Sequence, residues 1–329
     1  MSDVAAPTAG LTAASSVDGA AFGRRLIPPG DPLAGATFDA IWENQIRPEL
    51  AGLESDRRQA VMAFVLALLA GALLVFIEIA LIPGLLKSRG GSQLPIFTLI
   101  AAAALGFWPI RKVAHTAKAD VVTALCQPMS VVYQPACPQA PSFDEFLSLA
   151  LLPRPSGKTF QDFFSGRRGA VDFSLCQAVL TQGSGRSRTT VFRGQLFRLT
   201  RPKAFLGTTV VLRNTGFTRV FSKPAGLADV GLEDPEFRKV FQAYGSDQVE
   251  AREILTPTFM QELMDLEVQY GGEKLRCAFV GPDLLVALEG GDRFEIGGMF
   301  TSLVDRARVE KIARDLEQVF KLIDAFQLS

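Results

Sequence analysis

Two apolar runs, residues 60–86 and 94–110, are separated only by Lys87-Ser88-Arg89-Gly90-Gly91-Ser92-Gln93, and that pairing leaves the chain few ways to fold. Residues 60–77 hold no charged or strongly polar side chain, and the run resumes after Glu78 as far as Leu86. At 1.5 Å per residue, such a helix spans a hydrocarbon core of roughly 30 Å. Leu, Ile, Val and Phe supply eleven of residues 61–77, which favours insertion into lipid by about 3 to 6 kcal/mol. The second run is shorter and alanine-rich, holds Thr98, Gly106 and Trp108, and has Pro95 and Pro109 at its ends, where a helix tolerates proline best. The expectation is a transmembrane hairpin with spans at about 60–82 and 94–110.

Cationic loops are retained on the cytoplasmic side. Arg47, Arg57 and Arg58 precede the first span, and Arg111, Lys112 and Lys118 follow the second, whereas the connecting loop has only Lys87 and Arg89. Six against two places both termini in the cytoplasm. Residues 1–34 are rich in Ala, Gly, Ser, Thr and Pro and lack the apolar surface that offsets ordering entropy, so they read as a disordered tail. They do not read as a secretory signal, because the first apolar span begins far too late.

Equal numbers of basic and acidic residues, 34 of each, exclude a chain-wide cationic surface for nucleic acid. Cys126, Cys137, Cys176 and Cys277 are too scattered for a zinc pattern, and His115 is the single histidine. No cofactor or metal is expected, and the cysteines read as reduced and buried.

Residues 35–59 form an amphipathic helix that Pro48 kinks or splits. Residues 111–329 then make an α+β cytoplasmic domain. A basic helix at 111–126 leads into a proline-rich stretch with one short strand near Tyr133, and Ser142-Phe143-Asp144-Glu145 has the spacing of a capping box. Strands are expected at 171–180, 189–199, 205–212, 275–280, 284–288 and 293–296. Asp234-Pro235, Ser246 and Thr256-Pro257 open helices, the first with a stripe of Phe237, Val240 and Phe241. In the long C-terminal helix from Ser302, Val309, Ile312, Leu316, Val319, Ile323 and Phe326 form a seam at coiled-coil spacing, too short to demand a partner helix.

The blocks Phe192-Arg193-Gly194-Gln195-Leu196-Phe197, 230–241, Asp247-Gln248-Val249-Glu250-Ala251-Arg252, Leu255-Thr256-Pro257-Thr258-Phe259-Met260 and Phe294-Glu295 come in an order that resembles a bacterial membrane-protein family known only as domain of unknown function 3137. The resemblance runs from the helix before the hairpin to about Phe294. It implies a multi-span inner-membrane protein and carries over no functional residues.

Several groups are candidates for function. Ser156-Gly157-Lys158-Thr159 imitates the end of a phosphate loop, but Leu152 stands where the first glycine is required, so it reads as a polar loop. Glu78 is ionisable inside a span, a functional position by default, although it falls near the far interface within reach of Lys87. Asp247, Glu250 and Glu253 beside Arg252 present spaced carboxylates for acid–base chemistry or a divalent cation, or serve as helix-end charges. Arg186 and Arg188 make a basic hairpin turn that reads as a solvated turn or, if it faces the membrane, as a site for anionic lipid headgroups. The leading expectation is a membrane-anchored, non-enzymatic module that binds the lipid bilayer surface or another membrane or cytoplasmic protein, with a homo-oligomer also open. The alternatives are a subunit of an oligomeric transport or channel assembly using Glu78, and an enzyme using the carboxylates.

Overall fold

The computed structural model describes residues 36–81, 93–214, 223–269, 274–291, 294 and 301–327. The polar tail, the break between the apolar runs and most of the strand expected at 293–296 lie outside them.

The chain enters as α1 (Ala36–Ile41), passes through a π turn (Trp42–Ile46) and continues as α2 (Arg47–Leu81). Pro48 has no N–H to offer the carbonyl of Asn44, and the hydrogen bonding slips by one residue, with the Arg47 N–H donating to Trp42 O. The amphipathic and apolar parts are therefore one continuous rod. The same holds for α3 (Leu94–Cys126), which carries Pro109 inside it and joins the second apolar run to the basic helix. The two rods pack antiparallel where small residues let the backbones approach. A Cβ on Gly71 would lie 2.7 Å from the Ala102 Cβ, and one on Gly106 would lie 3.0 Å from the Phe64 Cα.

Beyond α3 the described residues build one open antiparallel sheet of nine strands: β1 (Val132–Ala136), β2 (Gly157–Arg168), β3 (Val171–Gln182), β4 (Thr189–Thr200), β5 (Thr209–Arg213), β6 (Ala228–Asp229), β7 (Phe241–Gly245), β8 (Arg276–Val280) and β9 (Asp283–Glu289). Their order is β1-β2-β3-β4-β9-β8-β5-β7-β6. Strand β9 sits in the middle and is apolar from Leu284 to Leu288, because Leu284, Val286 and Leu288 face one core and Leu285 and Ala287 the other. The first core lies under α1, the ends of α2 and α3 that adjoin the sheet, α7 (Pro257–Gln269) and α8 (Arg306–Gln327). The second is covered by α4 (Phe143–Ser148) and its flanking loops.

The seam of α8 packs on its own domain: Val309, Ile312, Leu316, Val319 and Ile323 are all buried in the first core. The helix starts at Asp234 and Thr256 also hold. Asp234 accepts from the N–H groups of Glu236 and Phe237 ahead of α5 (Pro235–Val240), and Thr256 Oγ1 accepts from Phe259 N ahead of α7. Other expectations change. Ser142 adopts φ 54° and makes no capping bond. Phe241 leaves the helical stripe to begin β7. The strand expected at 205–212 begins only at Thr209. Gly157-Lys158-Thr159 is not a loop but the start of β2, paired with Thr181, Leu180 and Val179 of β3.

Two polar clamps join the rods to the rest of the domain, one at the sheet and one at the start of α8. A bulge in β2 sets Asp162 at φ 53° and buries its carboxylate, which accepts from Lys118 Nζ of α3 and Tyr133 OH of β1, both at 2.7 Å. Losing one partner of such a buried pair costs about 3–5 kcal/mol. On α2, Glu54 accepts from Arg57 at 2.7 and 3.0 Å and from the backbone N–H of Leu303, ahead of α8, at 3.0 Å. The Arg57 hydrogen bond, opposed by burial and helped by the Leu303 N–H, holds the Glu54 carboxyl at about 2 against an ordinary 4.5. A carboxyl with a depressed folded pKa stabilises the fold fully above its unfolded value and loses that contribution as pH falls through its folded value. Unfolding of the wild type in detergent should therefore become easier as pH falls from 4.5 to 2, by a larger margin than for Glu54→Gln, and thermal melts across that window check it.

Candidate functional site

Glu78 lies on the inner side of the hairpin. Its Oε1 accepts a hydrogen bond from Thr98 Oγ1 at 2.7 Å, joining α2 to α3 near their far ends, and among the described residues its Oε2 has no hydrogen-bond partner. Lys87, the expected partner, lies outside the described residues. Nothing in the sequence pairs Thr98 with Glu78, since Thr98 stands five residues after the polar break and Glu78 nine before it. Within the two apolar runs no second ionisable side chain accompanies Glu78.

At the opposite end, where the rods leave their apolar halves, a groove of about 530 Å³ opens between them. Asp56, Gln59 and Lys112 line its polar side, and Ala60, Ala63 and Trp108 its apolar side. A second, more polar groove of about 640 Å³ lies by the β7 edge, lined by Asn214, Asp229, Arg238, Lys239 and Gln242 among others.

The acidic cluster is occupied by the backbone. Asp247, rather than Ser246, caps α6 (Gln248–Ile254) by accepting from Val249 N and Glu250 N at 2.8 and 3.1 Å. Glu250 turns away from it and accepts from the N–H groups of Leu206, at 2.6 Å, and Gly207, pinning the approach to β5. Ser246 Oγ accepts from Thr208 N at 2.8 Å and extends the same clamp. Arg252 Nε reaches the carbonyl of Gly231 at 3.4 Å, and Glu253 is exposed. These groups are brought together as loop fasteners around Gly207, whose own Cβ would lie 3.1 Å from Glu250 Oε2. No described cluster of three or more His, Cys, Asp or Glu is arranged to hold a metal.

All four cysteines are free thiols in buried positions. Burial pushes Cys126 up to about 12 and raises Cys137, Cys176 and Cys277, so none offers a thiolate near neutral pH. His115 is exposed on α3, in a different element from the acids.

Arg186 and Arg188 occupy the exposed turn between β3 and β4, where residues 182–190 are all exposed. The segment ahead of β2 is fastened alongside, with Ser156 N donating to Thr181 O at 2.9 Å and Ser156 Oγ to Gly183 O at 2.9 Å. That brings Arg154 and Lys158 to the same end of the sheet. Lys158 lies 5.0 Å from the Phe143 ring centroid. Neither stands out in the sequence as a neighbour of the turn, because no strand is expected there at 157–168.

Residues 190–328 match the family model described as a protein of unknown function (DUF3137). The resemblance in the sequence blocks is thereby borne out for that part of the chain. The matched part begins in β4 and takes in α8, whereas the blocks had pointed to a region starting ahead of the hairpin and ending near Phe294. No curated protein matches. The crystal structure of the mycobacterial trehalose monomycolate transport factor A, TtfA, is similar at 11% identity over 62% of this chain and 92% of its own, with a TM-score of 0.31, too low for the likeness to carry an argument.

Replacing Glu250 with Ala leaves two N–H groups without an acceptor. Hydrogen exchange at Leu206 and Gly207 should accelerate, and the domain should lose about 1–3 kcal/mol, read from a denaturant titration.

Proposed function

We propose that the chain is a multi-pass protein of a bacterial inner membrane, anchored by α2 and α3 with both termini in the cytoplasm, and that its α+β domain is a non-enzymatic binding module held at the membrane surface. The supporting observation is the apolar surface that the rods leave uncovered. Met62, Phe76, Leu105 and Trp108 are 62%, 68%, 76% and 69% exposed, and only 11% of each apolar window is buried. Each helix is long and apolar enough to cross a membrane. A contiguous greasy surface of that extent is costly in water, at about 25 cal/mol per Å², and costs nothing in lipid. The charge count supports the orientation, with Arg47, Arg57, Arg58, Arg111, Lys112 and Lys118 on the domain side.

A binding role rather than a reaction is supported by the use already made of the candidate chemistry. Asp247 and Glu250 hold backbone amides, and the thiols are buried and protonated. One observation favours a transport assembly as the second reading: Glu78 Oε2 is buried and, among the described residues, has no hydrogen-bond partner.

The anchor should survive alkaline carbonate washing of membranes and require detergent for release. With an impermeant maleimide on intact spheroplasts, Ser88→Cys should label and Ser184→Cys should label only after permeabilisation. Release by carbonate, or the reverse labelling, would contradict the proposal.

A further inference from the structure

We infer that the open end of β2, β3 and β4 is a second membrane contact, a cationic tip that binds the headgroups of anionic lipids beside the hairpin. This rests on the anchored reading above. The placement comes from strand register. Helix α3 and strand β2 run side by side in the same direction, because Lys118 meets Asp162 at 2.7 Å and, further along both, a Cβ on Gly166 would lie 3.5 Å from the carbonyl of Ser130, just past the end of α3. Stepping back from Asp162 to Gly157 therefore leads toward the apolar half of α3. At 3.3 Å per residue this is about 17 Å, and the turn beyond Thr181 and Gln182 adds several ångströms more. Along α3 the same distance back from Lys118, at 1.5 Å per residue, reaches the end of the apolar run near Trp108 even for a strand inclined by about 45°. The turn is therefore level with the lipid headgroups.

The chemistry of the tip suits that position. From Phe173 to Ala228 the chain has no aspartate or glutamate, while Arg186, Arg188, Arg193, Arg198, Arg201, Lys203, Arg213, Arg219 and Lys223 fall within it. Arg186, Arg188 and Arg193 are exposed at the tip, with Arg154 and Lys158 fastened next to them. Lys158 rests on Phe143, and among the described residues none of the five is ion-paired. The turn itself, Gly183-Ser184-Gly185-Arg186-Ser187-Arg188, has no apolar side chain to insert and no aromatic to stack on a base. It acts through charge, over a Debye length of about 8 Å. With the hairpin fixed in the bilayer, such a contact sets the tilt of the sheet domain over the membrane.

The full chain is reconstituted in nanodiscs of phosphatidylcholine alone or with phosphatidylglycerol added, carrying a donor fluorophore on Ser184→Cys and an acceptor on a trace of headgroup-labelled lipid. Energy transfer should rise in the anionic discs, return to the neutral-disc value at about 0.5 M salt, and fail to rise in the Arg186→Gln, Arg188→Gln, Arg193→Gln triple variant, whose melting temperature should be unchanged. Equal transfer in the two kinds of disc, or an unaltered rise in the triple variant, overturns the tip while leaving the anchor standing. Tight binding of a single-stranded oligonucleotide by the chain in neutral discs, lost in the triple variant, with no rise in anionic discs, reassigns the tip to nucleic acid. Failure to incorporate into either disc overturns the anchored reading and the tip together.

Discussion

Each of the two long helices changes its surroundings part-way along, and the rest of the structure is arranged around that change. In α2, Leu50 is fully buried while Met62, about three turns on, is largely exposed; in α3, Trp108 is exposed and Val121 buried. A helix is stiff over this length, so whatever solvates its apolar half fixes where its buried half sits. The π turn ahead of Pro48 and the uninterrupted passage through Pro109 preserve that stiffness where a break would have uncoupled the two halves.

Hydrophobic packing joins the rods to the sheet without fixing their register along it, and the two clamps supply that. Lys118 can meet Asp162 only where the β2 bulge presents the carboxylate, and Glu54 can hold Leu303 only if α8 begins beside α2. Both are satisfied by more than one donor, which is the condition for a buried charge to be tolerated. The same economy explains why Asp247 and Glu250 make a poor active site: both are spent on N–H groups that the loop before β5 or the helix end would otherwise leave unpaired.

Much of this was legible because single residues carry a strong local preference. Uninterrupted apolar runs gave the rods, Asp234 and Thr256 gave helix starts, and the α8 seam gave a buried face. What stayed hidden depends on partners distant in sequence. In β2, the bulge sends Phe160 and Phe163 to one core and Phe164 to the other, so the two-residue period is broken and no strand stands out. Phe237 and Phe241 stack at 5.1 Å, which looks like a helical stripe although the second already belongs to β7. Glu78 stood out as a charge in a greasy run, but its partner Thr98 emerges only once the hairpin is closed. The cationic tip was half visible, since Arg186 and Arg188 are adjacent in sequence whereas Arg154 and Lys158 arrive through the unrecognised strand.

The chain's two tryptophans offer the most direct test of what surrounds the rods, since Trp42 is buried in the domain and Trp108 faces outward from α3. In vesicles of bromine-labelled lipid, a Trp42→Phe variant, which retains only Trp108, should lose most of its fluorescence, while a Trp108→Phe variant should keep nearly all of it. Equal and weak quenching of both, from a chain that stays monodisperse without detergent, would mean that protein and not lipid covers the apolar halves.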